Sequence, residues 1–139
     1  MSILSISDIL TFPVATVSPD CPIKEVLADM RDKRISAIVI MEEERPVGIF
    51  TERNALMLAY HRNDLDLLLV GEVMGKPLVT VLPHIDFREG YRILLEHNIR
   101  HLIVVNEYGK LEGIVSESDF IEHLDKSFMV QYKEVSSLM

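Results

Sequence analysis

Cysteine is almost missing from this chain: Cys21 stands alone among 139 residues. A single thiol cannot close an internal disulfide, and it offers no cysteine framework for a metal. It precedes Pro22 with no base close by, so a nucleophilic role is not expected. His61, His84, His97 and His123 are scattered without the spacing that metal ligands need, and no metal site is expected. Long apolar runs are also missing. Ser36 to Met41 and Leu65 to Val70 are the size of a strand or half a helix, well short of the roughly 20 residues that cross a bilayer. The opening Met1-Ser2-Ile3-Leu4 has no basic lead and no extended apolar stretch, so no secretory signal is expected and the cytoplasm is the expected setting.

Positive charge is scarce. Fourteen Lys and Arg face 22 Asp and Glu, a net charge of −8. That field repels nucleic acid and anionic membrane surfaces, and neither is an expected partner. A small anionic ligand stays compatible if backbone N–H groups or a few placed Arg, Lys or His supply positive potential locally. No Gly-x-x-x-x-Gly-Lys phosphate loop, no Ser-His-Asp logic and no paired carboxylates in a cleft-like motif are found, so catalysis is not expected.

What the sequence has in quantity is apolar residues, 48% of the total, enough for a real core. It also has an internal repeat. Shifting the chain by 64 residues lays Thr16-Val17-Ser18-Pro19 on Thr80-Val81-Leu82-Pro83, Glu25 on Glu89, and Ile35 on Ile99. With one extra residue in the second copy, Gly48-Ile49-Phe50-Thr51-Glu52 meets Gly113-Ile114-Val115-Ser116-Glu117. A third trace relates Ile6–Leu10, Val70–Met74 and Val135–Met139 at the same period. The bland reading of that trace is a short amphipathic coincidence; the sharper one is the opening of another repeat in a longer polypeptide. The expected division is residues 1–69, residues 70–131, and a linker or further repeat start at 132–139.

Each copy reads as β-α-β-β-α. A short extended stretch (Ala15 to Val17; Val79 to Val81) runs into a Pro-containing turn. A helix follows with Ile23, Val26, Leu27 and Met30 on one face, matched by Phe87, Gly90, Tyr91 and Leu94. Pro22 suits a first helical position, and Asp86 with Glu89 resembles a capping box. Two β-rich segments come next, Ala37–Met41 with Val47–Phe50 and Leu102–Val105 with Leu111–Val115, before a last helix that begins at Thr51 or Ser116. One unit of about 60 residues buries little of its surface and is marginal alone. The expected fold is therefore α/β (α+β): two repeats packed through their sheets with pseudo-twofold symmetry, leaving clefts at the strand ends where such folds take ligands.

The order of elements resembles a tandem pair of CBS domains, named after cystathionine β-synthase. The phrases that carry the resemblance are Val79-Thr80-Val81, Ile99-Arg100-His101-Leu102-Ile103-Val104-Val105 and Gly113-Ile114-Val115-Ser116-Glu117-Ser118-Asp119, with Gly48-Ile49-Phe50-Thr51-Glu52-Arg53-Asn54 in the first copy. The resemblance spans nearly the whole chain and implies a regulatory module for an adenine nucleotide (AMP, ADP, ATP or S-adenosylmethionine). It requires no cofactor, and it controls an attached output domain in signal transduction. It places Asp119 on the ribose hydroxyls with Ser116 beside it, Thr80, Arg100, His101 and Leu102 in the pocket wall, and Arg53 on the phosphates. The first copy departs from the pattern: Asn54 stands where Asp is expected, which weakens a site made of Thr16, Thr51 and Asn54. Beside these readings stand plainer ones. Ser116 with Asp119 is also a good helix cap, Arg53 a solvated helix charge, and His101 a half-buried imidazole at a strand edge. As a whole, the chain also fits a constitutive homodimerisation module that needs no ligand, since the family commonly pairs its chains.

Overall fold

The computed structural model describes residues 4–75 and 78–123. The possible third repeat start at 135–139, with the rest of 132–139, lies outside the described residues. The first copy runs β1 (Thr16–Val17), α1 (Ile23–Lys33), β2 (Ala37–Glu42), β3 (Arg45–Thr51) and α2 (Glu52–His61). After a short helix, α3 (Val70–Val73), the second copy runs β4 (Thr80–Val81), α4 (Phe87–Glu96), β5 (His101–Val105), β6 (Leu111–Ser116) and a helix α5 over 117–123. The β-α-β-β-α order read from the sequence is present twice.

Each copy folds its strands into a three-stranded sheet of the same design. β1 pairs parallel with β2 and β2 antiparallel with β3; β4, β5 and β6 repeat that arrangement. The period-2 geometry of the central strands then sorts their side chains. Ile38 and Ile40 join Ile23, Val26, Met30 and Phe50 in one core, while Leu102 and Val104 join Phe87, Leu94, Val115 and Phe120 in another. Val39, Ile103 and Val105 point the other way and meet in a third cluster, with Met41, Ile49, Leu111 and Ile114 around them. That third cluster is the seam between the two sheets.

Local chemistry explains most of the element ends. α1 stops at Arg34 and α4 just short of Asn98, both with positive φ, and Ile35 and Ile99 donate back to the Met30 and Leu94 carbonyls. Pro22 sits at the N-cap of α1, one position before the first helical residue Ile23 and not at that first position as expected. The Asp86 carboxylate accepts the Arg88 N–H at 2.7 Å and caps α4, but Glu89 does not complete a capping box. It bonds Arg92 instead, because the guanidinium three residues on offers a stronger, charge-assisted partner. Between β2 and β3 the chain turns through Glu43 and Glu44 alone, with φ of 52° and 67°. That is the conformation of a two-residue hairpin usually supplied by Asn-Gly, and nothing in the Glu-Glu pair announces it.

The leading segments cross between the copies. Ile6 donates to Ile85 and Ser7 to Pro83, and Phe87 donates to Leu4, so residues before β1 are tied to the second copy. The equivalent bonds run from Val70 to Cys21, Gly71 to Pro19 and Ile23 to Leu68, tying residues before β4 to the first copy. Thr11 extends this by pairing with Ile114, and Gly75 by donating to Ile49. Ile6 is wholly buried in the second core. It packs so closely over Gly90 that a β-carbon there would lie 2.5 Å from its Cδ1. These reciprocal bonds give the pair its pseudo-twofold relation.

Ile6→Ala should therefore unfold the chain at lower urea, with a loss of about 2–5 kcal/mol typical of a buried isoleucine. Leu56→Ala, which truncates a side chain 73% exposed on α2, should stay within about 0.5 kcal/mol of the parent. Equal, small effects of the two would contradict the crossed packing.

Candidate functional site

The two strand-to-helix junctions, β3 to α2 and β6 to α5, are built alike. The Glu52 N–H donates to the Ser36 carbonyl at 3.0 Å, and the Glu117 N–H to the Arg100 carbonyl at 2.7 Å. Each helix is capped by its own junction residue. The Asn54 N–H donates to Thr51 Oγ1 at 3.3 Å, and the Asp119 N–H to Ser116 Oγ at 3.2 Å. In return Asn54 Oδ1 accepts the Thr51 N–H at 2.9 Å, and Asp119 Oδ2 accepts the Ser116 N–H at 2.8 Å. The plain helix-cap reading of Ser116 with Asp119 is thus realised, Thr51 with Asn54 repeats it, and both caps leave atoms over for a ligand.

Because the sheets meet face to face, both junctions open on one cleft of about 680 Å³. Ser36, Thr51, Glu52, Arg53 and Asn54 line it from the first copy; Arg100, His101, Ser116, Glu117 and Ser118 line it from the second. Ile49 and Ile103 form an apolar part of the wall, with Leu78 and Val79 from the stretch before β4. A flat base can lie against such a wall while polar groups are met at the rim. The guanidinium groups of Arg53 and Arg100 supply local positive charge within an acidic chain. Glu52 and Glu117 oppose them at the same rim; Glu117 lies 3.9 Å from Arg100.

His101 bonds across the two copies: its Nε2 lies 3.1 Å from the Ser36 hydroxyl, and either atom can be the donor. Burial pushes the imidazole below its ordinary value of about 6.5 and Arg100 adds to this, against the opposing pull of Asp119, Glu52 and Glu117. The ring is held neutral, able both to donate and to accept.

The cleft therefore gathers Arg53, Thr51 and Asn54 with Arg100, His101 and Ser116. Asp119, half-buried in the first turn of α5, is not among the residues that line it, although Ser116 to Ser118 are. Thr16 and Thr80 are exposed on the short parallel strands and also lie off the lining. Leu102 is fully buried with its side chain in the second core, because strand alternation sends its neighbours His101 and Ile103 toward the cleft instead. Sequence reasoning passed over Ser36, Ile49, Ile103, Leu78 and Val79. Alternation along β3 and β5 carried the signal for Ile49 and Ile103. Among the described residues no helix is long and apolar enough to cross a membrane, and no group of three or more His, Cys, Asp or Glu is placed to hold a metal.

A two-repeat α+β fold with crossed leading segments and one shared cleft defines the class. The CBS domain model matches the chain twice, over residues 6–60 and 70–126, and the chain belongs to the CBS domain family. It is 30% identical to the CBS domain-containing protein YhcV of Bacillus subtilis, with 83% of this chain and 81% of that one covered. To an uncharacterized protein of Methanopyrus kandleri it is 29% identical, and it spans 63% of that protein's length against 88% of its own. The inosine-5'-monophosphate dehydrogenase of Korarchaeum cryptofilum is 31% identical over 87% of this chain, which amounts to 24% of the enzyme. Among solved structures, a CBS domain protein from Pyrobaculum aerophilum complexed with AMP superposes with a TM-score of 0.77 at 29% identity, covering 84% of this chain and 89% of that one. A hexameric CBS-CP12 protein from bloom-forming cyanobacteria gives a TM-score of 0.78 at 25% identity, covering 86% and 67%.

The neutral His101 has a consequence for stability. Below about pH 6.5 the unfolded chain takes up a proton that the folded ring resists, so the unfolded state binds more protons. The stabilisation is complete above that pH and falls as pH drops toward the lowered folded-state value. Thermal unfolding followed from about pH 7.5 to about pH 5.5 should show this fall, and His101→Asn should flatten it. Parallel curves for the two proteins would contradict the assignment.

Proposed function

We propose that the chain is a regulatory module that takes an adenine nucleotide into the cleft between its repeats and relays its presence to an output domain. The observation that carries the reading is the shared cleft itself: an apolar wall of Ile49 and Ile103 rimmed by Arg53, Arg100 and His101, with both capped helix starts at its edge. The Pyrobaculum aerophilum relative complexed with AMP supports the choice of ligand class. The fraction of the dehydrogenase that this fold represents supports control of a larger protein. The reading assigns the cleft binding and no catalysis.

In this reading the base lies on the apolar wall and the phosphates lie toward Arg53, Arg100 and His101. The ribose hydroxyls go to Asp119, which lies off the cleft lining but next to Ser118 at its rim, because that carboxylate spends one oxygen on its cap and keeps the other. Contacts to both repeats at once give the ligand a different affinity for two arrangements of the pair, which is the only way binding can shift them.

A second reading, a homodimerisation module, is favoured by a separate observation. Leu56, Met57 and Tyr60 form an exposed apolar stripe on α2, with Tyr60 84% exposed. The CBS-CP12 relative is hexameric, which supports assembly.

A thermal-shift panel of AMP, ADP, ATP and S-adenosylmethionine separates the two. A specific ligand at a hundred times its Kd should add about 2.7 kcal/mol, and Asp119→Ala should abolish the gain while Asn54→Ala reduces it less. No shift with any of the four, together with a dimer by light scattering, would leave only the second reading.

A further inference from the structure

The two copies carry matching seats for a leading segment, and the bonds at the seats correspond residue for residue. The Val70 N–H donates to the Cys21 carbonyl and Gly71 to Pro19, at 2.8 and 2.9 Å. The Ile6 N–H donates to the Ile85 carbonyl and Ser7 to Pro83, at 3.0 and 2.8 Å. Yet the seats are filled from opposite directions. Val70–Met74 follows the copy on which it sits, whereas Ile6–Leu10 sits on the second copy and leads into the first.

The sequence also supplies a segment that follows the second copy. Val135–Met139, outside the described residues, is that segment by its sequence. Val70 lies 18 residues after Glu52, where α2 begins, and Val135 lies 18 after Glu117, where α5 begins. The length of chain that must close onto a seat is therefore the same. Its residue types suit the second seat better than the first. A β-carbon on Gly71 would lie 2.9 Å from both the Cβ and the carbonyl oxygen of Pro19, so the first seat has no room for one there. The second seat accepts Ser7 at the equivalent position, and Val135 is followed by Ser136. Ile9 and Leu10 pack on the second core, and Leu138 with Met139 are apolar at the corresponding places.

One seat thus has two claimants, and side-chain size decides between them. Ile6 fills the space over Gly90, where a β-carbon would lie 2.5 Å from its Cδ1. Valine lacks that carbon and would leave the space empty, so Ile6 prevails. We propose that Val135–Met139 is the reserve occupant of the seat held by Ile6–Leu10, and that exchanging one for the other uncrosses the pair. The second core then stays closed from its own side, while the first copy loses the crossed tie through Ile6 and Ser7. The seam and the Val70 tie remain, so the repeats can shift without either core opening to water. The exchange is internal to the chain and needs no ligand in the cleft.

Hydrogen exchange of the intact chain, read at the Ile6 and Ser7 amides, tests this with Val135→Ile. The variant gives the reserve segment the larger side chain. Both amides should exchange about three- to ten-fold faster, with no loss of stability in a thermal melt. A double-mutant cycle in urea gives a second readout. Val135→Ala with Leu138→Ala should change the folded-to-unfolded ratio by less than about two-fold in the wild type, where Ile6 holds the seat. In the Ile6→Ala background the same pair should lower that ratio by a further factor of about ten or more. Unchanged exchange in Val135→Ile would overturn the proposal, and so would equal effects of the alanine pair in both backgrounds.

Discussion

Val39, Ile103 and Val105 form the seam on which the rest of the molecule depends. Each repeat has its own helix-covered core on one face of a three-stranded sheet, and the other face is too apolar to leave in water. Packing those faces together buries them and turns both strand-to-helix junctions toward one side. The crossed leading segments lock the arrangement: Ile6 completes the second core and Val70 the first, so neither repeat has a finished interior without residues from the other's side of the sequence. A unit of this size is marginal alone, and the exchange makes the pair one cooperative body.

The cleft follows from that geometry and inherits its composition from both copies. In a chain with net charge −8 the cleft still presents Arg53 and Arg100, because the start of α2 and the residue before β5 line the same cleft. His101 and Ser36 join the copies by a hydrogen bond at the same place. A ligand that competes with this bond, or adds to it, acts directly on the relation between repeats. A net charge of −8 bears on partners as large as nucleic acid, but it says little about a local site of three or four groups.

Most of the fold was legible in the sequence because a 64-residue period doubles every weak signal. The faces of α1 and α4, the paired hairpins and the capped start of α5 were all read from residue type and spacing. What was not legible involves choices between partners. Asp86 with Glu89 has the spacing of a capping box, yet Arg92 takes Glu89. Ile6 reads as an amphipathic opener of the first copy, but its burial lies in the second core, a contact no local pattern encodes. At the site, residues adjacent in sequence were taken together, and strand alternation then separates them: His101 and Ile103 face the cleft while Leu102 faces the core. Asn54 was legible as a departure, but the commitment of its oxygen to Thr51 emerges only from coordinates.

The central claim is that a ligand engages both repeats through one cleft. Hydrogen–deuterium exchange of the chain with and without saturating AMP tests it most directly. The account predicts slowed exchange in two stretches far apart in sequence, Ile49 to Asn54 and Ile99 to His101, appearing at the same ligand concentration. Protection confined to a single repeat, or spread evenly over the surface with neither stretch favoured, would contradict it.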